Sequence, residues 1–315
     1  MKSHANPGFI LVTGGAGFIG QHLVRTLRQH KHEVLAVDNL SCSPWDRLLT
    51  PVDVRDVLGL SAADLRGARA VIHLASRKVV PTSFDDPSQM RHNVAVDQHM
   101  IGLIAAARPV TALLVSSCEV YGSQATALGE DSPRQPRSPY AVGKVTMEML
   151  ADVYRSLAPP RFCVARLFNV FGPGEGLDAV VPRFIHDALT RGELLIEGTG
   201  TQRRDFTYVD DVVKALMGLL ELSAPPPVIN IASGVSCSIR ELAHLVGHAV
   251  GLTRPPRLAP ARRNEIAAFT SDTRLLRRTL PGWQPQVDLA EGLARCIAWQ
   301  RSQEIETCAV GVSNV

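Results

Sequence analysis

The sequence lacks any long hydrophobic run. No stretch of its 315 residues approaches the roughly 18 consecutive apolar residues that mark a membrane-spanning helix. The beginning of the chain also lacks the apolar core that a secretory signal peptide needs. We therefore expect a cytoplasmic protein with no membrane partner.

A strong charge imbalance and metal-ligand spacings are missing as well. The formal net charge is only +3, which is too small to favour a nucleic-acid partner. The six cysteines show no Cys-x-x-Cys and no other metal-ligand spacing, so we expect no metal site. Hydrophobic residues at 45% and charged residues at 20% are ordinary for a globular protein, and the length suits one large core or a core with a smaller lobe.

What the chain does have is a glycine-rich turn between a short apolar strand, residues 9–12, and an amphipathic helix. Gly14, Gly17 and Gly20 let the backbone turn tightly and approach a pyrophosphate, whose charge the helix N-terminus attracts. The next strand ends in Asp38. An acid at this position accepts hydrogen bonds from a ribose diol and repels a 2′-phosphate, so the sequence predicts a site for NAD rather than NADP.

Further cofactor contacts are expected near the ends of other strands. The apolar strand at residues 70–74 is followed by small residues that allow close approach and by Lys78, which can reach a ribose or a phosphate. Asp53 is a candidate for the adenine site, although an exposed turn fits it nearly as well. Asn93 needs polar partners on a buried helix face, and strand ends or the cofactor can supply them. His73, inside its strand, is interpreted as a core histidine. The predicted cofactor-binding residues are Gly14, Gly17, Phe18, Ile19, Gly20, Asp38, Asn39, Asp53, Val54, Leu74, Ala75, Ser76, Lys78, Asn93, Ser116, Tyr140 and Lys144.

The centre of the sequence is an apolar strand, residues 112–115, that leads into reactive side chains. Open parallel sheets bind ligands at the carboxyl edge of their strands. We therefore expect Ser117, Cys118 and Glu119 to lie in a cleft.

A helix is predicted to begin at Ser138 and Pro139, because serine is a good N-cap and proline suits the first helical position. Tyr140 and Lys144 then lie four residues apart on one face. The lysine ammonium is expected to lower the pKa of the tyrosine, so that a phenolate base is available near neutral pH. A Tyr-x-x-x-Lys spacing alone is common in helices, and the interpretation depends on the whole set. The predicted catalytic residues are Ser117, Cys118, Glu119, Tyr140 and Lys144.

Strands and helices alternate through the first half of the chain, which is typical of an α/β protein. We predict a Rossmann fold, a doubly wound parallel sheet, with a smaller C-terminal α/β lobe for the substrate. The predicted NAD-binding domain comprises residues 1–171 with 205–233. The predicted lobe comprises residues 172–204 with 234–304, and residues 305–315 are predicted to be a frayed tail.

Two arginine pairs occur in the second half of the chain, Arg203-Arg204 and Arg262-Arg263. Guanidinium forks match phosphate oxygens, so both pairs are candidates to clamp a diphosphate. A solvated basic surface is the alternative for any single arginine. We expect one member of each pair to bind.

Together these motifs resemble the extended short-chain dehydrogenase/reductase family, in particular its NAD-dependent nucleotide-sugar epimerases and dehydratases. The resemblance rests on the three glycines, a Val-Tyr-Gly run, Tyr140 with Lys144, and residues 204–211. It implies a bound NAD that is reduced and re-oxidised within one turnover, a UDP-sugar substrate, and a homodimer formed through helices 88–107 and 139–156. The substrate-binding residues that it implies are Asn169, Val181, Arg183, Arg204 and Arg262.

The three residues before the Val-Tyr-Gly run distinguish the chemistries within this family. Sugar-nucleotide 4,6-dehydratases have Thr-Asp-Glu, UDP-glucuronate decarboxylases Thr-Ser-Glu and 4-epimerases Ser-Ala-Thr, whereas this chain has Ser117-Cys118-Glu119. In these residues and in the runs 202–208 and 264–266, the chain resembles the UDP-N-acetylglucosamine 5,6-dehydratases of tunicamycin biosynthesis, an antibiotic pathway.

A hydro-lyase mechanism follows as a hypothesis. Tyr140 takes the C4 hydroxyl proton during oxidation, and Ser117 donates a hydrogen bond to the C4 oxygen. Glu119 then removes the C5 proton while Cys118 protonates the departing C6 hydroxyl. The alternatives are a UDP-glucuronate decarboxylase, with Arg183 as the cation at the C6 carboxylate, a UDP-sugar 4-epimerase, and a non-catalytic NAD-binding sensor or scaffold.

Overall fold

A seven-stranded parallel sheet forms the centre of the protein. The computed structural model describes residues 8–42, 48–78, 80–157, 161–262 and 265–312. The strand order is β3-β2-β1-β4-β5-β6-β10, and every neighbouring pair runs parallel. The strands are β1 Phe9–Thr13, β2 Val34–Asp38, β3 Asp53–Val54, β4 Ala68–His73, β5 Thr111–Ser117, β6 Arg161–Leu167 and β10 Val228–Ile231.

Helices cover both faces of this sheet. Alternate side chains of β1 enter different cores: Ile10 and Val12 pack in one cluster, and Leu11 packs in the other. The first cluster holds residues of helices α1 (Phe18–Gln29) and α5 (Val209–Leu220), and the second holds residues of α2 (Pro87–Ala107) and α3 (Pro139–Leu157). The predicted doubly wound α/β fold is confirmed.

A second group of strands and helices packs beside this sheet, and it is called the substrate lobe below after its predicted role. Its strand β9 pairs with β7, β11 and β13, while β8 pairs with β12. The first core cluster continues into this lobe, which is therefore packed against the sheet. The strands are β7 Asn169–Phe171, β8 Leu195–Glu197, β9 Arg203–Tyr208, β11 Ser236–Ser238, β12 Arg257–Ala259 and β13 Ala268–Phe269. The helices are α4 Val180–Arg191, α6 Ile239–Val250, α7 Arg274–Thr279 and α8 Leu289–Val312.

The main difference from the sequence prediction lies in the last helix. Residues 305–315 were expected to form a frayed tail, but α8 continues to Val312. Helical backbone hydrogen bonding thus extends into the predicted tail. Arg263 and Asn264 lie outside the described residues, and the division of the chain into two domains stays a prediction. Within the described ranges, no helix is both long and apolar enough to cross a bilayer.

Candidate active site

The glycine-rich turn follows β1 at the carboxyl edge of the sheet. Gly14 has a φ of +72°, and a Cβ on it would lie 2.7 Å from the backbone nitrogen of Ala75. A Cβ on Gly20 would lie 2.0 Å from the carbonyl oxygen of Gly14, so helix and turn meet closely there. Asp38, at the end of β2, accepts hydrogen bonds from the backbone N–H groups of Ala16 (3.0 Å) and Leu40 (2.8 Å). The turn and the acid therefore lie side by side, as a dinucleotide site requires.

A cavity of about 1470 Å³ lies between this edge of the sheet and the substrate lobe. Single-ligand pockets typically measure about 300–1,000 Å³, so this cavity has room for a cofactor together with a substrate. Most of the predicted site residues line it. They are Gly14, Gly17, Phe18, Ile19, Gly20, Leu74, Ser76, Lys78, Ser116, Ser117, Cys118, Glu119, Tyr140, Lys144, Asn169, Val181, Arg183, Arg204 and Arg262.

The reactive side chains are brought together by the end of β5 and the start of α3. A single 3-10 turn, Cys118–Tyr121, follows β5, and the Ser117 hydroxyl accepts a hydrogen bond from the backbone N–H of Glu119 at 3.2 Å. Helix α3 begins as predicted, since the Ser138 hydroxyl accepts from the Ala141 N–H at 3.1 Å. Nζ of Lys144 then donates to the carbonyl oxygen of Val115, the β5 residue two before Ser117, at 3.1 Å.

Burial shifts the pKa values of the two groups that the sequence assigns to the elimination step. It raises the pKa of Glu119 from 4.5 to about 7, although the positive charge of Arg204 opposes the shift. Burial, and then the negative charge of Glu119, raise the pKa of the Cys118 thiol well above its ordinary value. Near neutral pH the carboxyl group is therefore poised to take up or release a proton, and the thiol holds its proton.

The pKa of Tyr140 differs from the prediction. Lys144 was expected to lower it, but the pKa lies above its ordinary value because the phenol is buried and because Glu119 is close. A hydrogen bond with Ser117 opposes this shift. The Lys144 ammonium instead donates to the backbone of β5. The phenol thus holds its proton in this arrangement, and a further positive charge is needed to favour the phenolate.

Two buried oxygen atoms in the cavity wall have no hydrogen-bond partner within the described part of the chain. They are Oγ of Ser76, next to the end of β4, and Oδ1 of Asn169, the first residue of β7. Buried polar groups without partners are rare in folded proteins, so both atoms fit contacts with a ligand. Together with the glycine turn and Asp38, Ser76 fits a dinucleotide cofactor.

Other predicted cofactor contacts make hydrogen bonds within the protein or lie off the cavity. The Asn93 amide bonds both the N–H and the carbonyl oxygen of Arg77 at 2.9 Å, so it holds the chain beside Ser76. Ser116 lines the cavity but donates to Glu148 at 2.6 Å. The remaining predicted residues that do not line the cavity are Asp38, Asn39, Asp53, Val54 and Ala75.

The adenine role of the β3 residues stays a prediction. Asp53 is paired with Arg55 at 2.7 Å, and Val54 is half exposed at the edge of the sheet. His73 is a core histidine, as predicted: it is bonded to Thr13 at 2.6 Å and to Asp97 at 3.0 Å, and it is 1% exposed.

Three arginines of the substrate lobe line the cavity, and each faces a carboxylate. Nη2 of Arg204 lies 2.6 Å from Oε1 of Glu265, and its guanidinium group stacks 5.2 Å above the Phe269 ring. Arg183 and Arg262 share Glu197. Arg204 lines the cavity, whereas its neighbour Arg203 bonds Ser236 away from it. This agrees with the expectation that one arginine of the first pair faces the site.

The segment at residues 172–179 also lines the cavity, and none of its residues was predicted to belong to the site. Its Glu175 is paired with Lys78 at 3.4 Å, and burial raises the pKa of this carboxyl group to about 7. The carbonyl oxygen of Pro173 accepts a hydrogen bond from Nε2 of His22 at 2.9 Å. An acid within a Gly-Pro-Gly-x-Gly run was the available signal, but its partner is 97 residues away.

Known proteins resemble this chain over most of its length. The model of the "NAD dependent epimerase/dehydratase family" matches residues 10–232. A UDP-glucose 4-epimerase of Mycolicibacterium smegmatis is 34% identical, and the match covers 93% of this chain and 98% of that protein.

Solved structures extend the comparison to the fold. TunA, described as an NAD dependent NDP-hexosamine 5,6-dehydratase involved in tunicamycin biosynthesis, matches with a TM-score of 0.88 and 39% identity, covering 93% of this chain and 97% of TunA. MoeE5, solved in complex with UDP-glucuronic acid and NAD, matches with a TM-score of 0.85 and 34% identity, covering 94% of this chain and 100% of MoeE5.

Proposed function

Because the chain belongs to the NAD dependent epimerase/dehydratase family, we propose that it removes water across C5 and C6 of a UDP-hexose, with UDP-N-acetylglucosamine as the expected substrate and a 5,6-ene sugar as the product. The supporting observation is that Cys118 and Glu119 line the same cavity as Ser117 and Tyr140. Inversion at C4 needs neither a thiol nor a carboxyl group. The likeness to TunA supports the 5,6-dehydratase assignment.

The residues of the cofactor site fit NAD. The glycine turn and Asp38 suit its pyrophosphate and a ribose diol, and the unpartnered Ser76 hydroxyl is available to the cofactor. When bound, NAD would take up hydride from the sugar and return it, and its nicotinamide ring would supply the positive charge that favours the Tyr140 phenolate.

The first protein-mediated step concerns the C4 oxygen of the sugar. Tyr140 accepts the C4 hydroxyl proton, and its hydrogen bond with Ser117 keeps the two side chains together. The Ser117 hydroxyl then stabilises the C4 ketone by donating a hydrogen bond. A ketone at C4 makes the C5 proton acidic, because the oxygen can hold the resulting negative charge.

Elimination then uses two groups with opposite protonation. Glu119, whose pKa is about 7, takes the C5 proton, and the Cys118 thiol gives its proton to the departing C6 hydroxyl. One water leaves, and a C5–C6 double bond forms. The thiolate has the higher proton affinity, so Glu119 returns its proton to Cys118. When hydride has returned to C4 and Tyr140 has given its proton to the C4 oxygen, the C4 alcohol is restored. The sugar has then lost only water, and the enzyme is ready for the next cycle.

The alternative reactions have less support in this chain. A decarboxylase needs a cation at the C6 carboxylate of the sugar, and the candidate Arg183 faces Glu197 at 3.6 Å. A 4-epimerase would use Ser117 and Tyr140 but gives no role to Cys118 and Glu119. A sensor or scaffold would bind NAD without turnover.

A panel of UDP-sugars incubated with the purified, NAD-loaded protein tests the proposal. Mass spectrometry should detect a product of UDP-N-acetylglucosamine that is lighter by one water. An isomer of equal mass, a product of UDP-glucuronic acid that has lost carbon dioxide, or the absence of any product would contradict the proposal.

We also propose that the protein is a homodimer that buries one face of α3. Met149, Val153 and Leu157 are 56%, 57% and 71% exposed, an apolar stripe at roughly helical spacing. A second copy of this chain, packed helix to helix, would cover it. Val153→Glu should convert the dimer to a monomer in light scattering after size exclusion, while Val54→Glu, on the edge strand β3, should leave the mass unchanged. A monomeric parent protein would contradict this part.

A further inference from the structure

Two arginines of the substrate lobe converge on one carboxylate in the cavity wall. Glu197 is the last residue of β8, Arg183 lies on α4, and Arg262 follows β12. Nη1 of Arg183 lies 3.6 Å from Oε1 of Glu197, and Nε of Arg262 is paired with Oε2 of the same side chain. All three residues line the cavity, and each side chain is partly exposed.

The backbone around Glu197 keeps these groups close together. β8 and β12 run parallel, and Glu197 lies opposite Ala259 in their register. The Gly198 N–H donates to the Ala259 carbonyl oxygen at 2.9 Å. A Cβ on Gly198 would lie 3.3 Å from Cβ of Ala261. The segment that carries Arg262 is thus held against the end of β8, within reach of the carboxylate.

The charges of the three side chains indicate what this wall prefers to bind. Two guanidinium groups face one carboxylate, so one positive charge is left over. A diphosphate carries more negative charge than a carboxylate, and its oxygen atoms match guanidinium forks. A diphosphate and the Glu197 carboxylate cannot share the two arginines without repelling each other, because both are negative.

We propose that Glu197 is a competitor built into the diphosphate subsite. Its carboxylate pairs with Arg183 and Arg262 until the diphosphate of the nucleotide sugar displaces it. This inference rests on the proposed function, which supplies the diphosphate ligand. The competition weakens the binding of substrate and product alike, which speeds product release.

Titration calorimetry with UDP tests the competition. Glu197→Gln keeps the size of the side chain and removes its charge. The dissociation constant for UDP should fall about two- to fivefold, the size expected for one partly exposed ion pair. The affinity of the variant should also depend more steeply on ionic strength, because the arginines have lost their counter-charge. UMP, with a single phosphate, should gain less.

The chain offers a matched control. Glu193 is paired with Arg257 at 3.4 Å in the same lobe, and neither residue lines the cavity. Glu193→Gln should leave UDP affinity unchanged. Thermal melting of both variants identifies any loss of folding that would otherwise pass for weaker binding.

Weaker UDP binding by Glu197→Gln would mean that the carboxylate orients the arginines, and unchanged binding would mean that it does not compete. Both outcomes overturn the inference.

The binding test and the turnover test can fail independently of each other. Tighter UDP binding by Glu197→Gln, without water loss from any UDP-sugar, would support the competition and contradict the dehydration. Water loss without tighter UDP binding would support the dehydration and contradict the competition. Failure of UDP to bind either protein would contradict both.

Discussion

The reactive residues 117–119 and a basic wall formed by Arg183, Arg204 and Arg262 line the same cavity. The two regions differ in whether their ionisable groups are mainly buried or mainly paired. Cys118 and Glu119 are buried beside the sheet, and burial is the main cause of their raised pKa values. Arg204 and Arg262 are each paired with a carboxylate. Burial therefore lets Glu119 exchange a proton near neutral pH and keeps the Cys118 thiol protonated. The paired arginines are instead suited to binding an anion.

Apart from loss of the Glu119 carboxylate, the largest expected effect comes from removing the Cys118 thiol. Cys118→Ala should lower kcat for water loss by about 100-fold, because general acid catalysis at a poor leaving group contributes on that scale, while KM stays nearly constant. Steady-state rates measured by mass spectrometry check this. Cys237→Ala is the control, since Cys237 does not line this cavity. A Cys118→Ala rate within a few fold of the parent would make Cys118 a packing residue.

The pH dependence of kcat is the next largest effect. Glu119 must be ionised to accept the C5 proton, and its pKa is about 7. The rate should therefore rise about tenfold per pH unit below pH 7 and level off above it. A rate that stays flat from pH 5 to pH 8 would show that another group limits the reaction.

Substitutions in the basic wall should change KM rather than kcat. Arg262→Ala should raise KM for the UDP-sugar about tenfold, the effect of losing one charge-assisted hydrogen bond, and leave kcat within about twofold. Arg203→Ala is the matched control, because Arg203 bonds Ser236 outside the cavity. A loss confined to kcat would remove the distinction between the two regions.

Glu175 combines both situations, since it is buried and also paired with Lys78. Its folded pKa of about 7 lies above its ordinary 4.5. Its contribution to folding is therefore fully present below about pH 4.5 and is lost as the pH rises through 7. At pH 8, Glu175→Gln should unfold at a higher temperature than the parent, with a free energy of unfolding that is larger by roughly 1–3 kcal/mol. The difference between the two proteins should be smaller at pH 5.

Glu241 provides a control of opposite sign. Its pKa is lowered, first by the Ser238 N–H and then by the Ser238 side chain, so its contribution is present above about pH 4.5 and is lost on acidification. Glu241→Gln should therefore destabilise the protein at pH 8. If Glu175→Gln destabilised the protein at pH 8 as well, pairing with Lys78 would outweigh burial.

Much of the fold and the site could be predicted because the relevant signals are local. The turn after β1, Asp38 at the end of β2 and the Ser138 cap of α3 each follow from a few neighbouring residues. Pairs between distant segments could not be predicted. Glu175 meets Lys78 across 97 residues, and Arg204 meets Glu265 across 61. The predicted lowering of the Tyr140 pKa was wrong for a related reason. Burial and Glu119 raise this pKa, and both depend on the tertiary structure.

The central claim is that Glu119 removes the C5 proton after C4 has been oxidised. A single turnover of Glu119→Gln with UDP-N-acetylglucosamine, followed by nicotinamide absorbance and by product mass, tests it most directly. We predict that reduced nicotinamide accumulates while water loss slows by at least about 1,000-fold. Water loss at the parental rate, or no reduction of the nicotinamide at all, would contradict the assignment.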